Sequence, residues 1–111
     1  MIELTKGQLI RAMTYLLADV AGDHIVYPSD LLHGGKRKGE RIVEARTQYI
    51  HKAQQRFVQW QVGHVWHYGD KQSGVAEVPP RASPLSNVIV ASVCGMLPSS
   101  VVQARRRVPK E

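Results

Sequence analysis

The stretch SNVIVASVCGMLPSSVVQARRRV, Ser86 to Val108, holds two short apolar runs on either side of a Gly-Met-Leu-Pro break and ends in three arginines. The first run predicts a helix that starts at Ser83 or Pro84. Its expected buried positions are Leu85, Val88, Ile89 and Val93. Gly95 suits a tight turn, and Pro98 suits the first turn of a second helix. Helix, short glycine-containing turn and helix is the pattern of a helix-turn-helix, whose second helix enters the major groove of DNA.

The predicted second helix has an apolar side and a polar side. The apolar side consists of Val101, Ala104 and Val108, and the opposite arc holds Ser99, Ser100, Gln103, Arg106 and Arg107. Hydroxyl, amide and guanidinium groups can hydrogen-bond phosphates and base edges, and Gln can read adenine with two hydrogen bonds. The alternative interpretation is that the serines only satisfy free N–H groups at the helix start. In that case the arginines are only the solvent-exposed end of the last helix.

Composition limits the classes to which the protein can belong. The 111 residues suffice for one modest core, so residues 1–111 are expected to form a single domain. Fifteen Lys and Arg against nine Asp and Glu give a formal charge of +6, which favours polyanionic partners. The single Cys94 excludes an intrachain disulfide. With no secretory signal and no membrane-length apolar run, the sequence predicts a soluble cytoplasmic protein.

The segment LTKGQLIRAMTYLLADVAG, Leu4 to Gly22, predicts an amphipathic helix because its apolar residues recur at three- and four-residue spacing. Thr5 and Gln8 have the spacing of a capping box, and Leu4 and Leu9 that of a hydrophobic staple. Gly22 suits a left-handed residue that ends the helix.

A second long helix is predicted from Gly39 or Glu40 through Gln61. The residues on its expected core face are Ile42, Tyr49, Ile50, Ala53, Phe57 and Trp60. Arg46 lies toward this face on a helical wheel. It extends along the helix edge toward solvent, pairs with a carboxylate or contacts phosphate.

The segment from Gly63 to Pro84 is rich in turn-forming residues and is expected to be a loop. Within it, Val65, Trp66 and Tyr68 either form a short strand or cap the core. The predicted fold class is therefore all-α: a small helical domain with a basic loop, a C-terminal helix-turn-helix and an inserted loop before it.

A second basic cluster lies between Lys36 and Arg41, and it also contains Arg37 and Lys38. A glycine-flanked basic loop can follow a sugar-phosphate backbone or place arginine in a narrow minor groove. The alternative is a solvated turn, which is the usual role of a short charged run. Two basic clusters on either side of a helical domain favour nucleic acid as the partner.

Catalytic patterns are weak in this sequence. His64 and His67 lie near Asp70, but no third ligand has a spacing typical of a metal site. The sequence has no paired carboxylates, no nucleophile with a nearby base and no phosphate-binding glycine loop. We expect a protein that is not an enzyme and that uses no cofactor, metal or small-molecule substrate.

Three stretches, in order, resemble the C-terminal DNA-binding domain of the bacterial replication initiator DnaA. They are SDLLHGGKRKGERIVEAR (Ser29 to Arg46), PLSNVIVASVCG (Pro84 to Gly95) and PSSVVQARRRV (Pro98 to Val108). The first resembles the family's DLL, basic loop and arginine-bearing helix, and the other two resemble its helix-turn-helix. The resemblance implies a minor-groove contact by Arg37 or a neighbour and major-groove contacts by Ser99 and Ser100. Arg46 corresponds to the family's helix-opening arginine.

The chain departs from the family pattern at two places. Leu97 and Pro98 replace an Asp-His pair that precedes the two hydroxyl residues, and the stretch between Ala53 and Pro84 is much longer than in the family. The expected partner is double-stranded DNA, in replication control or transcription. A second hypothesis is a protein-interaction module that regulates the replication initiator or a related replication protein through the inserted aromatic residues, Trp60, Trp66 and Tyr68. No membrane partner is expected.

Overall fold

The chain folds as helices together with an antiparallel sheet, so the all-α prediction is wrong. A computed structural model describes residues 2–32, 39–71 and 78–107. In chain order the elements are β1 (Ile2–Leu4), α1 (Lys6–Asp23), α2 (Pro28–Leu32), α3 (Glu40–Arg56), β2 (Phe57–Val62), β3 (Val65–Asp70), β4 (Ser83–Pro84), α4 (Asn87–Cys94) and α5 (Pro98–Arg106). The described part of the chain is therefore a mixed α/β structure of five helices and a four-stranded sheet.

The sheet replaces both the end of the predicted second helix and part of the predicted loop. Helix α3 ends at Arg56 instead of Gln61, because Phe57 is already extended with ψ 145°. Residues 57–62 are aromatic, β-branched or Gln, and they fit a strand as well as a helix. Strand β2 pairs with β3 in register, with Trp60 opposite His67 and Val62 opposite Val65. The sequence pattern did not separate the two choices, because Trp60 also falls on the core face of a helical wheel.

Two short strands complete the sheet, whose order is β1-β3-β2-β4. Strand β1 pairs with β3, so that Leu4 lies opposite Tyr68. Strand β4 pairs with β2, so that Pro84 lies opposite Val58. Both strands are two or three residues long and have no recognisable alternation, and the sequence analysis missed them.

Helix α1 confirms its predicted start and corrects its predicted end. The N–H of Gln8 donates to Thr5 Oγ1 at 3.2 Å, and the N–H of Thr5 donates to Gln8 Oε1 at 2.9 Å. At the other end the left-handed residue is Ile25, with φ 56°, and not Gly22. The N–H of Ile25 donates to Gly22 O at 3.2 Å and the N–H of Val26 to Ala21 O at 3.0 Å, which is a Schellman ending.

The hydrophobic core lies between α1, α3, α4 and α5, with β2 against it. Its largest fully buried side chains include Leu9, Met13, Leu17, Leu31, Tyr49, Ile50, Phe57, Leu85, Val90 and Val101. The Tyr49 hydroxyl donates to Met13 O at 3.1 Å, and burial raises the pKa of this phenol well above its usual range. A buried Tyr thus keeps its hydrogen-bond partner, and α3 is joined to α1.

Among the described residues, no single helix has the length and hydropathy needed to cross a membrane. Helices α4 and α5 reach that length and hydropathy only when taken together, across a bend of 104°.

Candidate nucleic-acid interface

Helices α4 and α5 are joined by a short glycine-containing turn, which is the arrangement expected of a helix-turn-helix. Their axes differ by a bend of 104°, within the range of about 90–120° that is typical of this motif. Gly95 supplies the left-handed residue of the turn, with φ 65° and ψ 31°. The N–H of Met96 then donates to Ala91 O at 3.0 Å. The turn has three residues, 95–97, between the two helices.

Helix α4 starts later than predicted. Ser86 caps it, because its hydroxyl accepts from the N–H of Ile89 at 3.3 Å, and Ser83–Pro84 is a strand. The fully buried residues of α4 are Val90, Ala91 and Cys94. Of the predicted stripe, Leu85 is buried just before the helix, and Ile89 and Val93 are partly buried against the core. Val88, which was expected inside, is 64% exposed. Since α4 is apolar on most of its circumference, the periodicity of its sequence did not select a face.

Helix α5 presents the predicted polar side chains to solvent. Val101 and Ala104 are buried, as predicted, and Val108 lies outside the described residues. Ser99, Gln103, Arg106 and Arg107 are exposed, and Ser100 is half-buried. The outer side of α5 therefore carries a hydroxyl, an amide and guanidinium groups that can reach a ligand.

Two hydrogen bonds that the sequence did not reveal fix α5 to its neighbours. Arg105 Nη1 donates to Asn87 Oδ1 at 2.8 Å, which joins α5 to the first residue of α4. His51 Nε2 donates to Arg107 O at 2.7 Å, which joins α3 to the end of α5. Sequence separations of 18 and 56 residues leave no local pattern from which these contacts could be predicted.

Arg46 has a structural position. Its side chain is 7% exposed, and its Nη2 donates to Asp30 O at 2.8 Å, which joins α3 to α2. Burial lowers the pKa of this guanidinium, while charge interactions with Cys94 and Asp30 act in the opposite direction. The helical wheel placed Arg46 toward the core, and the contact between α3 and α2 explains this position.

The basic cluster is only partly within the described residues. Arg41 lies in the first turn of α3 and is exposed. Lys36, Arg37 and Lys38 lie outside the described residues. Leu32 is the last described residue before them, and its carbonyl oxygen lies against the turn of the helix-turn-helix: a Cβ placed on Gly95 would be 2.5 Å from it.

The aromatic residues of the hairpin formed by β2 and β3 do not form one cluster. Trp60 is paired with His67 and stacks on its ring, with centroids 5.7 Å apart. Trp66, opposite Gln61, is one register position away, so it lies on the other face of the sheet and is 48% exposed. The side chain of His67 also contacts the Glu3 carboxylate of β1 through Nδ1 and Oε1. Within residues 2–32, 39–71 and 78–107, no three His, Cys, Asp or Glu side chains are grouped as metal ligands.

No protein-family model matches this chain, and it has no significant match among curated proteins or solved structures. The features that bear on function are therefore the geometry of α4 and α5 and their exposed side chains.

Proposed function

We propose that the chain is a non-enzymatic protein that binds double-stranded DNA through α4 and α5, in the manner of the DnaA C-terminal domain. The observation that carries this proposal is the 104° arrangement of the two helices, with Ser99, Gln103 and Arg106 on the outer side of the second one. A second helix held in this way places its outer face in a major groove. The corresponding process is control of replication initiation or of transcription.

Charge supports the same surface. The formal charge is +6, and α5 ends in exposed arginines. Arg41 adds an exposed cation on α3. Lys36, Arg37 and Lys38 lie outside the described residues and contribute to the basic charge of the sequence. Phosphate contacts supply much of the affinity of such proteins and make it salt-dependent. Arg46 is left out of this surface because its side chain is buried against α2.

The proposed DNA partner implies a cellular location for the protein. A protein that binds double-stranded DNA in a bacterium acts in the cytoplasm, either associated with the nucleoid or encoded by a phage. Binding is influenced by sequence through Gln103 and its neighbours, while the arginines contact any duplex.

The test is a fluorescence-anisotropy titration of labelled duplexes at several salt concentrations. Arg106→Gln should weaken binding to all duplexes and lower the slope of log K against log[salt] by about 1. Arg37→Ala should have the same kind of effect. Arg11→Gln on α1 is the matched control, since it removes one exposed charge outside the motif and should leave the slope within error.

Gln103→Ala should instead change the preference among sequences, because an amide reads a base and a phosphate contact does not. The proposed surface is wrong if the wild-type protein binds no duplex at low salt. It is also wrong if Arg106→Gln, Arg37→Ala and Gln103→Ala all bind as the wild type does.

A second candidate function is a protein-interaction module that regulates the replication initiator or a related replication protein. The exposed end of the hairpin favours it: Val62, Val65 and Trp66 are 58%, 61% and 48% exposed. Aromatic residues are frequent anchors of interfaces. This function predicts that the initiator co-purifies after nuclease treatment and is lost with Trp66→Ala, while circular dichroism shows an intact fold. Loss of the complex after nuclease treatment would contradict it.

A further inference from the structure

The residue that begins the second helix of the motif is an exposed leucine. Leu97 is the N-cap of α5, its side chain makes no capping hydrogen bond, and it is 69% exposed. Ser, Thr, Asp or Asn at an N-cap stabilises a helix, and an exposed leucine gains nothing from burial. The free protein thus gives up a cap and exposes an apolar side chain at the same position.

The proposed function gives this side chain a ligand. In a helix-turn-helix the N-terminal residues of the second helix contact base edges in the major groove. The apolar group that the base edges present in the major groove is the C5-methyl of thymine, and apolar side chains contact it. We infer that Leu97 contacts a thymine methyl group and so selects an A·T pair at one position of the bound site. This inference depends on the proposed function and adds a specificity-determining residue to it.

Val88 provides an internal comparison. It is also apolar and exposed, at 64%, but it lies on α4, the first helix of the motif. First helices cross the sugar-phosphate backbone, which offers no methyl group. Val88 therefore should not discriminate between bases, although a similar apolar area is exposed.

The experiment removes only the methyl group. A preferred duplex is first selected from random sequences, and each thymine of it is then replaced, one at a time, by deoxyuridine. One replacement should weaken binding by the wild-type protein about fourfold, the value expected for one buried methyl-sized group. Leu97→Ala should bind the thymine and deoxyuridine forms equally, Leu97→Met should keep most of the discrimination, and Val88→Ala should keep all of it.

The outcomes separate this inference from the proposed function. Duplex binding with no deoxyuridine effect at any position, or with an effect that Leu97→Ala retains, overturns the leucine contact and leaves DNA binding standing. Binding without any enriched sequence overturns it as well. Absence of duplex binding at low salt overturns the proposed function itself. Circular dichroism of Leu97→Ala should be unchanged, because this side chain is exposed.

Discussion

At the scale of single residues, Gly95 shows how two constraints meet at one position. Its φ of 65° lies in the left-handed region, and a Cβ at this position would be 2.5 Å from the carbonyl oxygen of Leu32. The first constraint belongs to the turn, and the second to the contact between this turn and α2. The sequence predicted the first one only.

We expect Gly95→Ala to lower the free energy of unfolding by about 2–4 kcal/mol, because left-handed backbone strain and a clash with a carbonyl group add together. Gly22→Ala is the matched control. Gly22 lies in the last turn of α1, where a Cβ meets nothing within 4 Å, so alanine should stabilise the protein by about 0.5–1 kcal/mol. Urea denaturation of both variants measures the difference. Equal effects would contradict the turn geometry.

Cys94 is a buried thiol whose ionisation should be visible in stability. Burial raises its pKa to about 12, against 9.0 for the free group, although the nearby Arg46 charge acts in the opposite direction. The folded protein holds this proton more tightly than the unfolded chain, so the stabilisation is complete below pH 9 and is lost as the pH rises toward 12.

The free energy of unfolding should therefore fall above pH 9, with a contribution from Cys94 of at most about 1.4 kcal/mol per pH unit. Cys94→Ala should show a shallower fall, and Tyr49, whose pKa is also raised by burial, should contribute to the slope that remains above pH 10. Urea denaturation at pH 8 to 11 tests this. Superimposable pH profiles of wild type and variant would show that the thiol is accessible to water.

At the scale of elements, the hairpin of β2 and β3 is the part that the sequence analysis misjudged. Its loop is Gly63 and His64, and among the described residues only Gly63 of this pair has a positive φ, 58°. A glycine with positive φ at the first position of a two-residue loop is typical of a type II′ hairpin turn. The signal was present in VGHV, but the aromatic and apolar residues before it also extended the helical pattern of α3.

Gly63→Ala should cost about 1–2 kcal/mol, because the left-handed backbone is strained but a Cβ there meets nothing within 4 Å. The loss should be smaller than that of Gly95→Ala, which adds a clash. DNA affinity should be unchanged, since the hairpin lies outside α4 and α5. Urea denaturation and the anisotropy titration together check this. A cost equal to that of Gly95→Ala would mean that the hairpin loop is packed.

At the scale of the whole molecule, α3 holds the helix-turn-helix in place. It reaches α2 through Arg46, α5 through His51, and the segment before α4 through Gln54, whose Nε2 donates to Leu85 O at 3.4 Å. Each contact joins an α3 side chain to a backbone carbonyl far away in sequence. The orientation of the motif relative to α2 therefore depends on α3.

The two arginines of α3 that the sequence assigned to DNA should behave differently. Arg46→Met should lower the free energy of unfolding by about 2–3 kcal/mol, because it removes a charge-assisted hydrogen bond and leaves Asp30 O without this donor. Arg41→Met, which removes an exposed charge from the same helix, should stay within about 0.5 kcal/mol of wild type and weaken DNA binding instead. Thermal unfolding and anisotropy separate the two effects. If Arg46→Met leaves the stability unchanged, the structural role of Arg46 is contradicted, and a DNA contact becomes the better explanation for this residue.

The sequence by itself determined the start of α1, the glycine turn between α4 and α5, and the polar outer side of α5. These features depend on residues within a few positions of one another, so capping and periodicity suffice to predict them. Only the tertiary structure decided that residues 57–62 and 65–70 form strands, that α4 buries Val90 and not Val88, and that Arg46 belongs to the contact with α2. In each of these cases the local pattern allowed two states, and the choice came from partners distant in sequence: paired strands, a facing helix and a backbone carbonyl group.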